Sequence, residues 1–195
     1  MNIVERVKKI LITPKTEWKT IKDEENSIKE LFVGYVIILA AIPAIASFIG
    51  ISIIGINIGF MRLRIPLSAA LASSIVNYIF SIAAVFIAGF VINSLAPTFN
   101  SKQDSIKAMK LVIYSFTPAW VAGVVNIIPP LAILGILVSL YGVYILYLGI
   151  PLLMETPQEK VLPYSITSIV IMVIIFIVTT SIASAIVGSF YNITP

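Results

Sequence analysis

The sequence predicts an all-α integral membrane protein, a five-transmembrane-helix bundle with an N-terminal amphipathic interfacial helix. Three observations predict it. Hydrophobic residues make up 59% of the chain and charged residues 11%, against roughly 45–50% and 25% in soluble domains, so a soluble fold would lack polar surface to cover its apolar mass. The charges gather near the N-terminus and in short gaps, leaving no charged residue over 31–61, 65–101, 111–154 or 161–195. The basic residues are also distributed unevenly between the two sides that such runs define.

Residues 1–30 read as a cytoplasmic, amphipathic segment, and 31–195 as the membrane domain. In residues 1–12, Ile3, Val4, Val7, Ile10 and Leu11 share one helical face, while Glu5, Arg6, Lys8 and Lys9 take the other. That pattern suits a helix lying in the membrane interface, with Arg6, Lys8 and Lys9 toward anionic headgroups. The alternative is a helix packed on the cytoplasmic ends of the bundle. Thr13-Pro14 divides the segment, and Trp18 is expected to dip into the same boundary. These residues carry charges throughout and no apolar stretch, so the first span is expected to act as an uncleaved anchor.

A helix crosses the hydrocarbon with about 20 residues. Three of the charge-free runs fit one span each. Residues 111–154 fit two, divided at Asn126-Ile127-Ile128-Pro129-Pro130, where consecutive prolines remove backbone donors. The spans are placed at about 31–54, 67–92, 106–127, 131–153 and 164–189. Ser27 and Glu30 form a capping box before the first span, Ser101 and Asp104 offer the same device before the third, and Thr156 with Pro157 and Glu159 offers a third start. Pro163 is expected to break the turn that Thr156 begins. Pro118 should kink helix three and free a carbonyl near Tyr114.

With the N-terminus inside, the cytoplasmic parts hold seven basic residues in 1–30, then Lys102, Lys107, Lys110 and Lys160. Only Arg62 and Arg64 fall outside. The positive-inside rule gives N-in and, with five spans, C-out.

Chemistry is sparse. The chain has no cysteine and no histidine, which removes thiol catalysis, zinc thiolates and the commonest general base. No ionisable group lies deep in an expected span, against proton relays and ion-coupled carriers. Glu155 and Glu159 read as a solvated loop face rather than metal ligands. No metal, cofactor or nucleic-acid partner is expected, and the chain does not read as an enzyme. The candidates for ligand or partner contact are Asn77, Tyr114, Thr117, Pro118 and the tyrosine stripe Tyr141, Tyr144 and Tyr147. Each also has a plain structural reading, Asn77 as glue between helices and the stripe as packing between helices three and four. Small residues four apart, as in Ser68/Ala72 and Ser181/Ala185, allow close helix approach within the chain or in a homodimer.

Tyr114-Ser115-Phe116-Thr117-Pro118 resembles a motif in helix three of the Yip-domain membrane proteins, a family named for Ypt/Rab interaction. So do residues 140–150, which include the three tyrosines, Met154-Glu155-Thr156-Pro157-Gln158-Glu159-Lys160, and the opening stretch 6–14 with Trp18 after it. The resemblance implies five membrane helices and a cytoplasmic N-terminus. Eukaryotic members are linked to Rab GTPases and vesicle traffic. With only about 30 residues before its first span, this chain resembles a bacterial or archaeal plasma-membrane member, for which a prenylated Rab partner is not expected. The resulting expectation is a non-enzymatic protein that organises lipid or membrane-protein partners. The competing one is a pore or carrier for a small neutral or lipid-like substrate, using a polar crevice between helices two, three and four.

Overall fold

A computed structural model of the chain describes residues 2–58, 61–63 and 66–191. Two short helices come first, α1 (Ile3–Ile12) and α2 (Pro14–Asp23). Five helices long and apolar enough to cross a membrane follow: α3 (Ile28–Ile54), α4 (Leu67–Phe99), α5 (Ser105–Ile127), α6 (Pro129–Leu153) and α7, which runs over Gln158–Tyr191. The protein is an all-α integral membrane protein, as its charge-free runs predict. Between α3 and α4, β1 (Ile56–Ile58) pairs antiparallel with β2 (Met61–Leu63), a small hairpin not anticipated from the sequence. Arg64, expected on the outer side, lies outside the described residues.

The helix ends follow local chemistry. Asn2 caps α1 by accepting from the Val4 N–H at 2.9 Å. Ser27 and Glu30 form the expected capping box. Gly55, at φ 82°, ends α3 in a conformation that side chains disfavour. Two expected starts are corrected. Asp104, not Ser101, caps α5, its carboxylate accepting from the Ile106 and Lys107 N–H groups. Ser101 and Thr156 hydrogen-bond each other at 2.8 Å and so tie two loops together. Lys102 and Lys107 add ion pairs to Glu155 at 3.3 and 3.4 Å. Chiefly through the Lys102 hydrogen bond, they hold the Glu155 carboxyl below the usual carboxylate range.

The two diagnostic prolines behave differently from expectation. Pro118 does more than kink its helix. The first segment of α5 stops at Ser115, and a new one begins at Thr117 with Pro118 in its first turn. Proline suits that position because its missing N–H would have no helical partner there. Pro163, expected to interrupt, sits inside the continuous α7, where it costs one backbone hydrogen bond near the helix start.

Helix α5 is the centre of the bundle. It packs on α3, α4 and α6, and 72% of its most apolar window is buried inside the protein, against 11–22% for the other four spans. It is also the least hydropathic span, since polar residues can be accommodated where a helix faces helices rather than lipid. Helix α4 packs against α3 and α7, and α6 packs against α7 and against α2.

Candidate functional site

The polar side chains that the bundle gathers lie where α1, α2 and the start of α3 meet α5. Arg6 is only 3% exposed. Its guanidinium donates to Glu17 on α2 and to Glu24 just after it and lies over the Tyr114 ring, 5.4 Å from its centre. Lys110, fully buried on α5, donates to the carbonyl of Ile21 at 3.0 Å and to that of Glu24. Tyr35 on α3 and Thr117 share a hydrogen bond of 2.9 Å. Tyr114 stands edge-on to Tyr35 and Trp18, at 5.0 and 6.1 Å between ring centres. A buried charge needs a paired charge or hydrogen bonds to be tolerated; Arg6 has two carboxylates and Lys110 two carbonyls.

Trp18 locks α2 onto the bundle. It is fully buried, and its indole N–H donates to the Ile145 carbonyl on α6 at 3.0 Å. Gly149 makes the slot. A methyl group there would lie 2.8 Å from Trp18 Cε2 and 2.6 Å from Leu111 Cδ1.

These positions correct two membrane-surface expectations. Arg6 and Trp18 face the bundle, so α1 and α2 pack on its end as the alternative reading had it. The reason is compensation: Glu17 and Glu24 neutralise Arg6, and a helix carbonyl satisfies the indole. Lys8 and Lys9 are exposed, and Lys9 pairs with Glu5 at 2.7 Å. On the same helix, Val4 is 70% exposed, though its spacing assigned it to the apolar face.

The other candidates are dispersed. Asn77 is exposed, and its amide donates to the Ser73 carbonyl one turn back, at 2.8 Å. It therefore neither bridges helices nor joins a crevice. The tyrosine stripe divides. Tyr141 donates to the Leu11 carbonyl of α1 at 3.1 Å, whereas Tyr144 and Tyr147 are each 42% exposed. Tyr144 makes a ring contact with Tyr141 at 5.6 Å. The Tyr114 carbonyl is not where the stripe's hydroxyls go. Gly142 instead packs directly on the Ser115 carbonyl, closing α6 against the break at Phe116.

Sequence reasoning missed Glu17, Glu24, Tyr35, Lys110 and Tyr164. Tyr164 donates to the Ile92 carbonyl at 2.7 Å and joins α7 to α4. One signal for Lys110 was available: it is the lysine nearest the apolar part of the least hydropathic span.

The family profile of the Yip1 domain matches residues 8–179. The chain belongs to the Yip1 domain family. The matched stretch takes in Trp18, Lys110, the Tyr114–Pro118 break and all three stripe tyrosines, while Arg6 precedes it. Among curated proteins, the Inner membrane protein YohC of Escherichia coli is 29% identical over 184 residues, covering 92% of this chain and 94% of YohC. YohC from a second strain of that species matches to the same extent. No solved structure matches.

Proposed function

We propose that this Yip1-domain protein acts without catalysis, organising lipid and membrane-protein partners in a bacterial or archaeal plasma membrane, with its N-terminus cytoplasmic and its C-terminus outside. The observation that carries this reading is the seating of α1 and α2 on one end of the bundle. Ile10, Trp18, Ile21 and the Arg6–Glu17 pair are turned inward, and Lys8, Lys15, Lys19 and Lys22 are left exposed. A row of lysines held at the membrane surface attracts anionic headgroups at about 1 kcal/mol each, falling with salt. Supporting it are the inner-membrane description of YohC and the absence of histidine and cysteine from the sequence. The exposed small-residue stripe of Ser181 and Ala185 on α7 suits a second membrane helix as partner, another copy included.

The carrier reading depended on Asn77, the Pro118 kink and the tyrosine stripe meeting in a crevice. Asn77 bonds within its own helix, Tyr141 bonds to α1, and Pro118 starts a new helical segment, so no specific observation favours it.

The test is mass spectrometry of full-length protein released in mild detergent. The expected result is enrichment of anionic phosphatidylglycerol over the bulk membrane. The enrichment should fall when Lys8, Lys15 and Lys19 are changed together to Gln. A lipid complement identical to the bulk, with no copurifying protein, would overturn the organising role.

A further inference from the structure

A cavity of about 380 Å³ opens where α1, the α2–α3 linker, the start of α3 and α5 come together. Its size falls in the range of about 300–1,000 Å³ usual for small-ligand pockets. Among its lining residues are Arg6, Glu24, Glu25, Asn26, Tyr35 and Tyr114. Two of them have polar atoms without partners. The Asn26 Oδ1 is buried and accepts no hydrogen bond. Tyr114 is 4% exposed and packed on three sides by Arg6, Trp18 and Tyr35, yet its hydroxyl makes no hydrogen bond among the described residues. Buried polar atoms are nearly always satisfied, so the Asn26 oxygen beside a cavity points to a ligand, with the Tyr114 hydroxyl, also in the wall, free to join it.

The charge balance states what that ligand must be. Both local cations are already committed, Arg6 to two carboxylates and Lys110 to two carbonyls. Glu25 has no ion pair among the described residues. The carboxylate of Glu30, also in the wall, is exposed and accepts from Ser27. An anion entering here would meet the exposed carboxylates of Glu25 and Glu30 and, among the described lining residues, no free cation. A primary ammonium brings three donors and no acceptor. The wall offers it an orphan amide oxygen, a tyrosine oxygen, a spare carboxylate and aromatic surface that favours cations. A quaternary ammonium brings the same charge and no N–H donor, so it would leave the orphans unsatisfied.

We infer that this cavity binds a primary ammonium group, either the headgroup of an aminophospholipid or a free amine. Glu30 lies in the first turn of a membrane-crossing helix, which puts the cavity at headgroup depth. In its lipid form the inference deepens the organising role proposed above and rests on it.

The test offers full-length protein, in mild detergent, equal amounts of phosphatidylethanolamine and phosphatidylcholine with matched acyl chains, and counts retained lipids by native mass spectrometry. Both lipids are zwitterionic, so attraction to the exposed lysines cancels. Retention should favour phosphatidylethanolamine about tenfold, as expected for one or more charge-assisted hydrogen bonds. The preference should fall to about parity in the Glu25→Gln/Asn26→Leu double variant, whose changes lie in the linker. Tyr114→Phe, which keeps the ring, should reduce it as well. In a second arm, lipid-depleted protein is melted with ethanolamine or with choline. A rise in Tm with ethanolamine alone, absent in the double variant, assigns the site to a free amine. Retention of phosphatidylethanolamine without that rise assigns it to the lipid. Equal retention of both lipids together with equal effects of both free amines overturns the inference, as does a preference that the double variant keeps. Either result leaves the phosphatidylglycerol enrichment, and with it the organising role, to stand or fall by its own measurement.

Discussion

At Arg6 the fold places a guanidinium inside the protein and holds it with two carboxylates, Glu17 on α2 and Glu24 in the linker after it. Breaking one side of a buried pair is far costlier than replacing both sides, because the stranded charge stays buried. Arg6→Met should therefore lower stability by about 3–5 kcal/mol, read as a lower melting temperature in detergent. Arg6→Met combined with Glu17→Leu should recover most of that loss, since Glu24 is part-exposed and can turn to water. Equal losses in the single and double variants would mean that the ion pair is not the source. The sequence hid this arrangement for a definite reason. Spacing along one helix separates apolar from charged faces, but the partners of Arg6 lie 11 and 18 residues away on a different element. Asn77 failed in the opposite direction. An amide in an apolar run needs a partner, and the nearest, the Ser73 carbonyl, belongs to its own helix.

Among elements, the docking of α2 on α6 depends on the lack of a side chain at Gly149. Gly149→Ala would put a methyl within 2.6–2.9 Å of Leu111 and Trp18, closer than packed carbons sit. The expected cost is about 1–3 kcal/mol for overpacking. It should appear as release of α2, measured as greater iodide quenching of Trp18 in a Trp120→Phe background, which leaves a single tryptophan. Unchanged quenching and melting would show that Trp18 is not held by that slot. The number of long apolar helices was legible here, because charge-free length and capping chemistry act locally. The Ser27–Glu30 box is an example. The proline effects were less so. Pro118 and Pro163 carry the same intrinsic penalty, yet one starts a new segment beside the Gly142 contact and the other is absorbed within a 34-residue helix. Only the neighbours distinguish them.

For the whole molecule, the order of hydropathy along the chain already contained the position of α5. A span that carries Ser115 and Thr117 and has the lowest mean hydropathy, 1.4, is the one that avoids lipid. The seating of α1 and α2 was not legible, because an interfacial helix and one docked on a bundle end share the same periodicity. The orientation proposed for the bundle rests on its basic residues. Eleven lie in the segments that an inside N-terminus makes cytoplasmic and two in those it makes external, and the bias toward lysine and arginine inside sets orientation. In that proposal an odd number of crossings puts the termini on opposite sides. Because the chain has no native cysteine, single cysteines at Gln103, Pro129 and Gln158 can be labelled in intact cells with an impermeant reagent and no background. Only the Pro129 position, at the start of α6, should react. Gln103 and Gln158 flank the corner joined by Ser101, Thr156 and Glu155, so the two must report the same side. Labelling at both, with Pro129 protected, would invert the protein and move α1, α2 and the ammonium cavity to the outer surface. Labelling at one but not the other would contradict the five-span bundle itself.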